Sequence, residues 1–225
     1  IAGVRWADRV GKGIRTAPRD ALVADSVTKE TRGLAFGLNR ALDKAGAMLG
    51  LLIAALVVWL AQKTTLDLTK STFQTIVLLS LLPAFLAVLS LVFGTKDVAV
   101  TGQRAAPKFS LRNMGKPFQI FLVIVSIFTL GNSADGFLVL RAQNLGISVV
   151  GILVMLAVYN LVVALVATPA GSLSDRVGRR KLIIGGWLVY AVIYFCFALA
   201  QSAWHIWLLY IAYGLYFGLA FGTAN

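Results

Sequence analysis

The stretch Leu182-Ile-Ile-Gly-Gly-Trp-Leu-Val-Tyr-Ala-Val-Ile-Tyr-Phe-Cys-Phe-Ala-Leu-Ala200 contains no charged residue, and none follows it as far as Asn225. A helix needs roughly 20 mostly apolar residues to cross a bilayer. The run from Leu182 to Asn225 therefore holds two crossings, with Gln201-Ser202 as the break. Ala142 to Ser174 is equally free of Asp, Glu, Lys and Arg. Reading outward gives helices over 3–22, 33–61, 71–94, 118–140, 147–170, 182–200 and 204–225. The expected fold class is all-α, a polytopic transmembrane helix bundle of about seven spans.

The whole chain has 225 residues, 59% of them hydrophobic and 13% charged. Soluble domains carry about 25% charged residues, a gap too wide to reflect core size. The net charge of +12 does not point to nucleic acid, because a nucleic-acid face needs a solvated fold to display it. Cys196 is the only cysteine, which excludes a disulfide within the chain and a thiolate metal cluster. No phosphate loop, nucleophile–base set or metal-ligand spacing is visible, so neither an enzyme nor a cofactor is expected. The chain begins with Ile, not Met, and the reading expects the start of the natural chain to lie further upstream.

Basic residues gather in alternate connectors. Segment 95–117 carries Lys96, Arg104, Lys108, Arg112 and Lys116, segment 171–181 carries Arg176, Arg179, Arg180 and Lys181, and segment 23–32 carries Lys29 and Arg32. The opposite side has Lys63, Lys70 and Arg141. The positive-inside rule puts the first group in the cytoplasm. Trp59, Trp204 and Trp207 then fall at the outer interface, where aromatic belts sit. Segment 95–117 reads as a cytoplasmic linker between two bundles, 1–94 and 118–225.

The first helix is unusual for a span. Arg5, Asp8, Arg9, Lys12, Arg15, Arg19 and Asp20 share one side of it at 100° per residue. Intramembrane charges face a bundle interior or a watery cavity. The functional reading is a cavity wall meeting an anionic substrate or partner carboxylates. The bland readings are a helix lying in the membrane surface and ion pairs with helices outside this sequence. Asn39, Arg40, Asp43 and Lys44 share a face of the second helix, and Asp20 is offered as a partner for Arg40. Replacing Arg40 alone should then hurt more than replacing both, and equal losses would sink the pairing. Gly33-xxx-Gly37 and Gly46-xxx-Gly50 allow close helix approach.

Asp135 is the only ionisable residue in 118–140, with Asn132 nearly on its face. A lone intramembrane carboxylate is a functional-site hypothesis by default, and proton binding and release suits it. The bland reading is a salt bridge to Arg141 or to a residue outside this sequence. Asn160, Tyr159, Tyr213 and Tyr216 offer hydrogen bonds in apolar surroundings, most simply between helices. His205 reads as an interfacial imidazole rather than a proton relay.

The segment Gly171-Ser-Leu-Ser-Asp175-Arg176-Val-Gly178-Arg179-Arg180-Lys181 resembles the cytoplasmic signature loop of the major facilitator superfamily, G-x-L-x-D-R-x-G-R-R-[KR]. Glycines would permit a sharp turn there, and the basic cluster would hold the loop inside. Arg5 to Gly13 looks like the arginine-glycine motif of the fourth helix in that family. Gly37-x8-Gly46-x3-Gly50 looks like its fifth-helix antiporter motif, with Leu51 where proline is usual and Ala54-Ala55 in place of the closing glycines. The resemblance covers the whole chain and implies helices four to ten of a twelve-helix transporter, a prokaryotic inner-membrane carrier, monomeric at full length. It further implies a small-molecule substrate and protons as partners, with drug-type efflux the leading role. Arg15, Arg19, Asp20, Arg40, Asp43, Asn132, Asp135 and Asn160 are its candidate pathway residues, and Gly171, Asp175, Arg176, Gly178, Arg179 and Arg180 its gating loop. Uptake of an organic anion and a non-transporting membrane sensor on the same scaffold are the alternatives.

Overall fold

The computed structural model describes residues 2–28, 31–62, 68–94, 115–131, 135–177 and 179–221. In chain order they form α1 (Ala2–Asp25), α2 (Arg32–Gln62), α3 (Lys70–Gly94), α4 (Lys116–Gly131), α5 (Asp135–Asn144), α6 (Val149–Val177), α7 (Arg179–Leu199) and α8 (Ala203–Phe221). Three of them, α2, α3 and the Val149–Ala170 part of α6, are long and apolar enough to cross a membrane. Shorter apolar stretches lie in α4, α7 and α8. At 1.5 Å per residue, the 31 residues of α2 span about 46 Å, more than the roughly 30 Å hydrocarbon layer.

The expected helix over 118–140 is described in two pieces and ends later than expected, a first correction. Helix α4 stops at Gly131 and α5 begins at Asp135, and residues 132–134, Asn132 among them, lie outside the described residues. Helix α5 then runs past the expected end to Asn144. Its close has a local cause. Gly146 takes a positive φ of 82°, its N–H bonds to the Gln143 carbonyl at 2.9 Å, and the Ile147 N–H reaches back to the Ala142 carbonyl at 3.2 Å. This is the Schellman stop, in which a left-handed glycine satisfies the last carbonyls. Ser148 then caps α6, its Oγ accepting from the Gly151 N–H at 3.2 Å.

The signature segment supplies a second correction. Helix α6 continues through Gly171 to Val177 and α7 starts at Arg179. Gly171, Asp175 and Arg176 therefore sit in the last turns of a helix, not in a sharp turn. Arg179 and Arg180 open the next one, and Gly178 lies outside the described residues. Most of the expected linker, 95–114, also lies outside them.

Helix α6 is the hub. Helices α2 and α8 both dock along it, and α7 packs on α8. Glycines set these distances. A Cβ on Gly37 would stand 3.1 Å from the Ala167 carbonyl oxygen, and one on Gly218 would stand 2.7 Å from the Val166 Cβ. Gly214 lies equally close to the backbone of Tyr159. In lipid, where apolar contact alone gives little preference for protein over acyl chains, such close backbone approach is what holds helices together. Gly46 and Gly50 behave otherwise. A Cβ on either would meet nothing within 4 Å, so the expected Gly46-xxx-Gly50 contact is not made among the described residues. Gly50 instead borders an apolar cavity of about 350 Å³ between α2 and α3.

Candidate functional site

One cluster of buried residues is drawn from α5–α8 and their connectors and is rich in tyrosine. Tyr159 comes from α6, Tyr190 and Tyr194 from α7, and Tyr210, Tyr213 and Tyr216 from α8. Spacings of three and four residues bring the last five onto common faces of their helices. Tyr213 is the centre. It is only 2% exposed, stacks on Tyr159 at 5.6 Å, and meets Tyr194 at 6.0 Å and Tyr190 at 6.3 Å. These separations lie in the range where ring pairs attract beyond their burial. An open apolar cavity of about 410 Å³ adjoins the cluster, lined by Tyr190 with Phe128, Ile184, Trp187, Leu188 and Ala191.

Asp135 joins this cluster from the first turn of α5. The Tyr213 hydroxyl donates to its Oδ1 at 3.0 Å. The salt bridge offered for Asp135 and Arg141 gives way to other partners: the Arg141 guanidinium donates to the Ala200 carbonyl at 2.6 Å, closing the end of α7. On the other side of the cluster Lys44 reaches in from α2, its Nζ 5.8 Å from the centre of the Tyr159 ring. Lys44 lies within electrostatic reach of Asp135, Asp43 and Arg40. The carboxylate also acts on Tyr159, Tyr190, Tyr210 and Tyr213. The Tyr210 hydroxyl is buried without a hydrogen-bond partner.

The other sequence-derived candidates divide. Asn160 is buried, but its Nδ2 donates to the Leu156 carbonyl of its own helix at 2.8 Å. The amide is thus held within α6, where a bond between helices was expected. Arg19 and Asp20 pair with each other at 3.0 Å, a neighbour contact in place of the Asp20–Arg40 pair offered above. Asp43 is exposed and Arg40 half-buried. Arg15 lies in α1. His205 bonds to Ser202 at 3.0 Å at the start of α8, in keeping with a local role. Tyr190, Tyr194 and Tyr210 were not singled out from sequence, although their three- and four-residue spacing was there to read.

Uninterrupted apolar helices joined by glycine contacts, with a few charges turned onto an inward tyrosine cluster, define a polytopic membrane protein. The chain belongs to the Major Facilitator Superfamily, whose family profile matches residues 1–225. An uncharacterised MFS-type transporter of Methanocaldococcus jannaschii is 34% identical over 222 residues, covering 96% of this chain and 54% of that protein. The inner membrane transport protein YajR of Escherichia coli is 35% identical over 98 residues, 44% of this chain and 18% of its own length. An uncharacterised protein of Mycobacterium bovis is 27% identical over 217 residues, 88% of this chain and half of that protein. The chain thus spans about half the length, or less, of these relatives. No solved structure matches it.

Proposed function

We propose that this chain is part of a secondary transporter that moves a small molecule by alternating access, with proton-coupled efflux as its working direction. One observation carries the reading: a carboxylate and an ammonium, Asp135 and Lys44, approach one tyrosine cluster from the two stretches assigned to separate halves. In such carriers rocking of one half against the other exposes a central site to alternate sides. A site made by both halves is the part such rocking would open and close. On this reading 1–94 and 118–225 belong to the N- and C-terminal halves, and 95–117 links them in the cytoplasm of a prokaryotic cell. Trp59 and Trp204 are exposed, as interfacial anchors would be. Asp135 is the proton-binding group, and the segment from Gly171 to Arg180 is the gate.

Flux into and out of vesicles holding the full-length protein tests this. Collapsing the proton gradient should stop net movement of a labelled solute against its concentration. Asp135→Asn should remove that gradient dependence while leaving exchange measurable. Movement unaffected by collapse of every ion gradient would defeat the coupled-carrier reading. Import of an organic anion driven by the same gradient would reverse the direction and favour the basic α1 as the recognition surface.

A further inference from the structure

We propose that the space between the Tyr159 ring and Asp135 is a seat for a substituted ammonium ion, and that Lys44 is its tethered occupant in the empty protein. The proposal rests on the transporter reading only in taking that ligand to be the transported solute. Binding itself stands on geometry.

The Lys44 ammonium lies 5.8 Å from the Tyr159 ring centre, within the distance at which a ring face attracts a cation. Tyr159 stacks on Tyr213, whose hydroxyl in turn holds Asp135. Ring face and carboxylate are thereby fixed by one residue, a pre-organised pair of cation acceptors. Lys44 feels Asp135 but is joined to it by no salt bridge shorter than 4.0 Å among the described residues. The lysine therefore occupies the field of the carboxylate without closing on it. Asp135 is exposed, so an incoming cation can reach it.

The surroundings select the kind of cation. The walls are aromatic, and a strongly hydrated metal ion would find one carboxylate and few other oxygen ligands. A substituted ammonium is weakly hydrated and presents C–H groups to ring faces, the pattern of aromatic cages. One ring beyond Tyr213, at Tyr190, the apolar cavity of about 410 Å³ gives room for a hydrophobic body. The buried, unpartnered Tyr210 hydroxyl supplies a further acceptor among these rings.

Binding of benzyltrimethylammonium to the full-length protein in lipid nanodiscs tests the seat, with protein-free discs as the blank. Neopentylbenzene, the same shape with carbon for nitrogen, is the neutral control, and benzoate the anionic one. The cation should bind and neither control should compete. Lys44→Met removes the tethered competitor and should tighten binding about tenfold, whereas Asp135→Asn should weaken it at least about tenfold. Tyr159→Phe keeps the ring face and should stay within about twofold, while Tyr159→Leu should lose about tenfold. The tyrosine pair decides the matter if the Asp135 variant does not fold. Equal binding of the neutral compound, weaker cation binding in Lys44→Met, or benzoate as the preferred ligand would each overturn the seat. Cation binding without flux in vesicles leaves the seat standing and removes the transporter reading. Gradient-driven flux of a solute that the ammonium does not inhibit leaves the transporter and overturns the identification of the seated cation with its solute.

Discussion

Helices α3 and α6 are both long, apolar and free of charge across their middles, yet they sit in the fold in opposite ways. Along α3 the one buried residue among those described is Thr72, and the aromatic and aliphatic side chains stand outward, Phe93 at 83% exposure. Along α6 Met155, Ala157, Asn160, Val163, Ala167 and Ala170 are buried at helical spacing, with α2 and α8 packed against it. Hydropathy does not separate the two. The distinction lies in small residues. Ala167 meets Gly37 of α2, and Val166 meets Gly218 of α8, at distances a larger side chain would forbid. Apolar character puts a helix in the membrane, and close-fitting small surfaces decide which helices stay together there.

The largest test of this contrast is Gly218→Leu. Its first added carbon would already stand 2.7 Å from the Val166 Cβ, so α8 must move away from α6. Overpacking of this kind typically costs about 1–3 kcal/mol, and the upper end is expected here because the Val166 Cβ is fixed to its own helix and cannot swing aside. Gly46→Leu, on the open side of α2, should be neutral or slightly stabilising, since leucine is the better helix former. Reversible unfolding in mild detergent compares the two. Equal losses would mean that glycine contacts do not distinguish the packed helix from the exposed one.

The spans were legible because long apolar runs stand apart from polar connectors, and the break at Gln201-Ser202 appears between Leu199 and Ala203. The stop after Asn144 was hidden. Gly146 and Ser148 are ordinary helix-end residues, but the first fell between two spans and the second inside one, both drawn from hydropathy alone. At the site, Asp135 and Tyr213 were found because polar groups stand out against an apolar background. Tyr190, Tyr194 and Tyr210 were missed because a helix apolar on every side does not reveal which face turns inward. Lys44 was assigned to a charge network with Arg40 and Asp43, which its electrostatic neighbours support. Its approach to Tyr159 is a tertiary contact between distant segments, beyond the reach of any local pattern.

A smaller effect is expected at the end of α7. Arg141 closes its last turn through the 2.6 Å bond to the Ala200 carbonyl, tying α5 to the packed bundle. Arg141→Met keeps the length of the stem and removes the donor. A half-buried bond of this type should contribute about 1 kcal/mol, in the usual net range for one hydrogen bond. The loss should appear as faster amide exchange around Ala200, with α3 unaffected. Unchanged exchange at Ala200 would show that the bond does not hold α7 in place.

The smallest expected effect is on α3 itself. Leu81 is exposed in this chain, and its side chain is as comfortable among acyl chains as among leucines. Leu81→Ala should therefore change stability by less than about 0.5 kcal/mol, as substitutions away from packed contacts do. Buried leucines behave otherwise, losing about 2–5 kcal/mol on truncation to alanine. The measurement belongs on the full-length protein, because the relatives are about twice as long as this chain. A loss above about 2 kcal/mol there, in the range of a packed leucine, would assign this face of α3 to a protein neighbour rather than to lipid. The contrast with α6 would then concern which part of the protein covers each helix, since both would be held by packing.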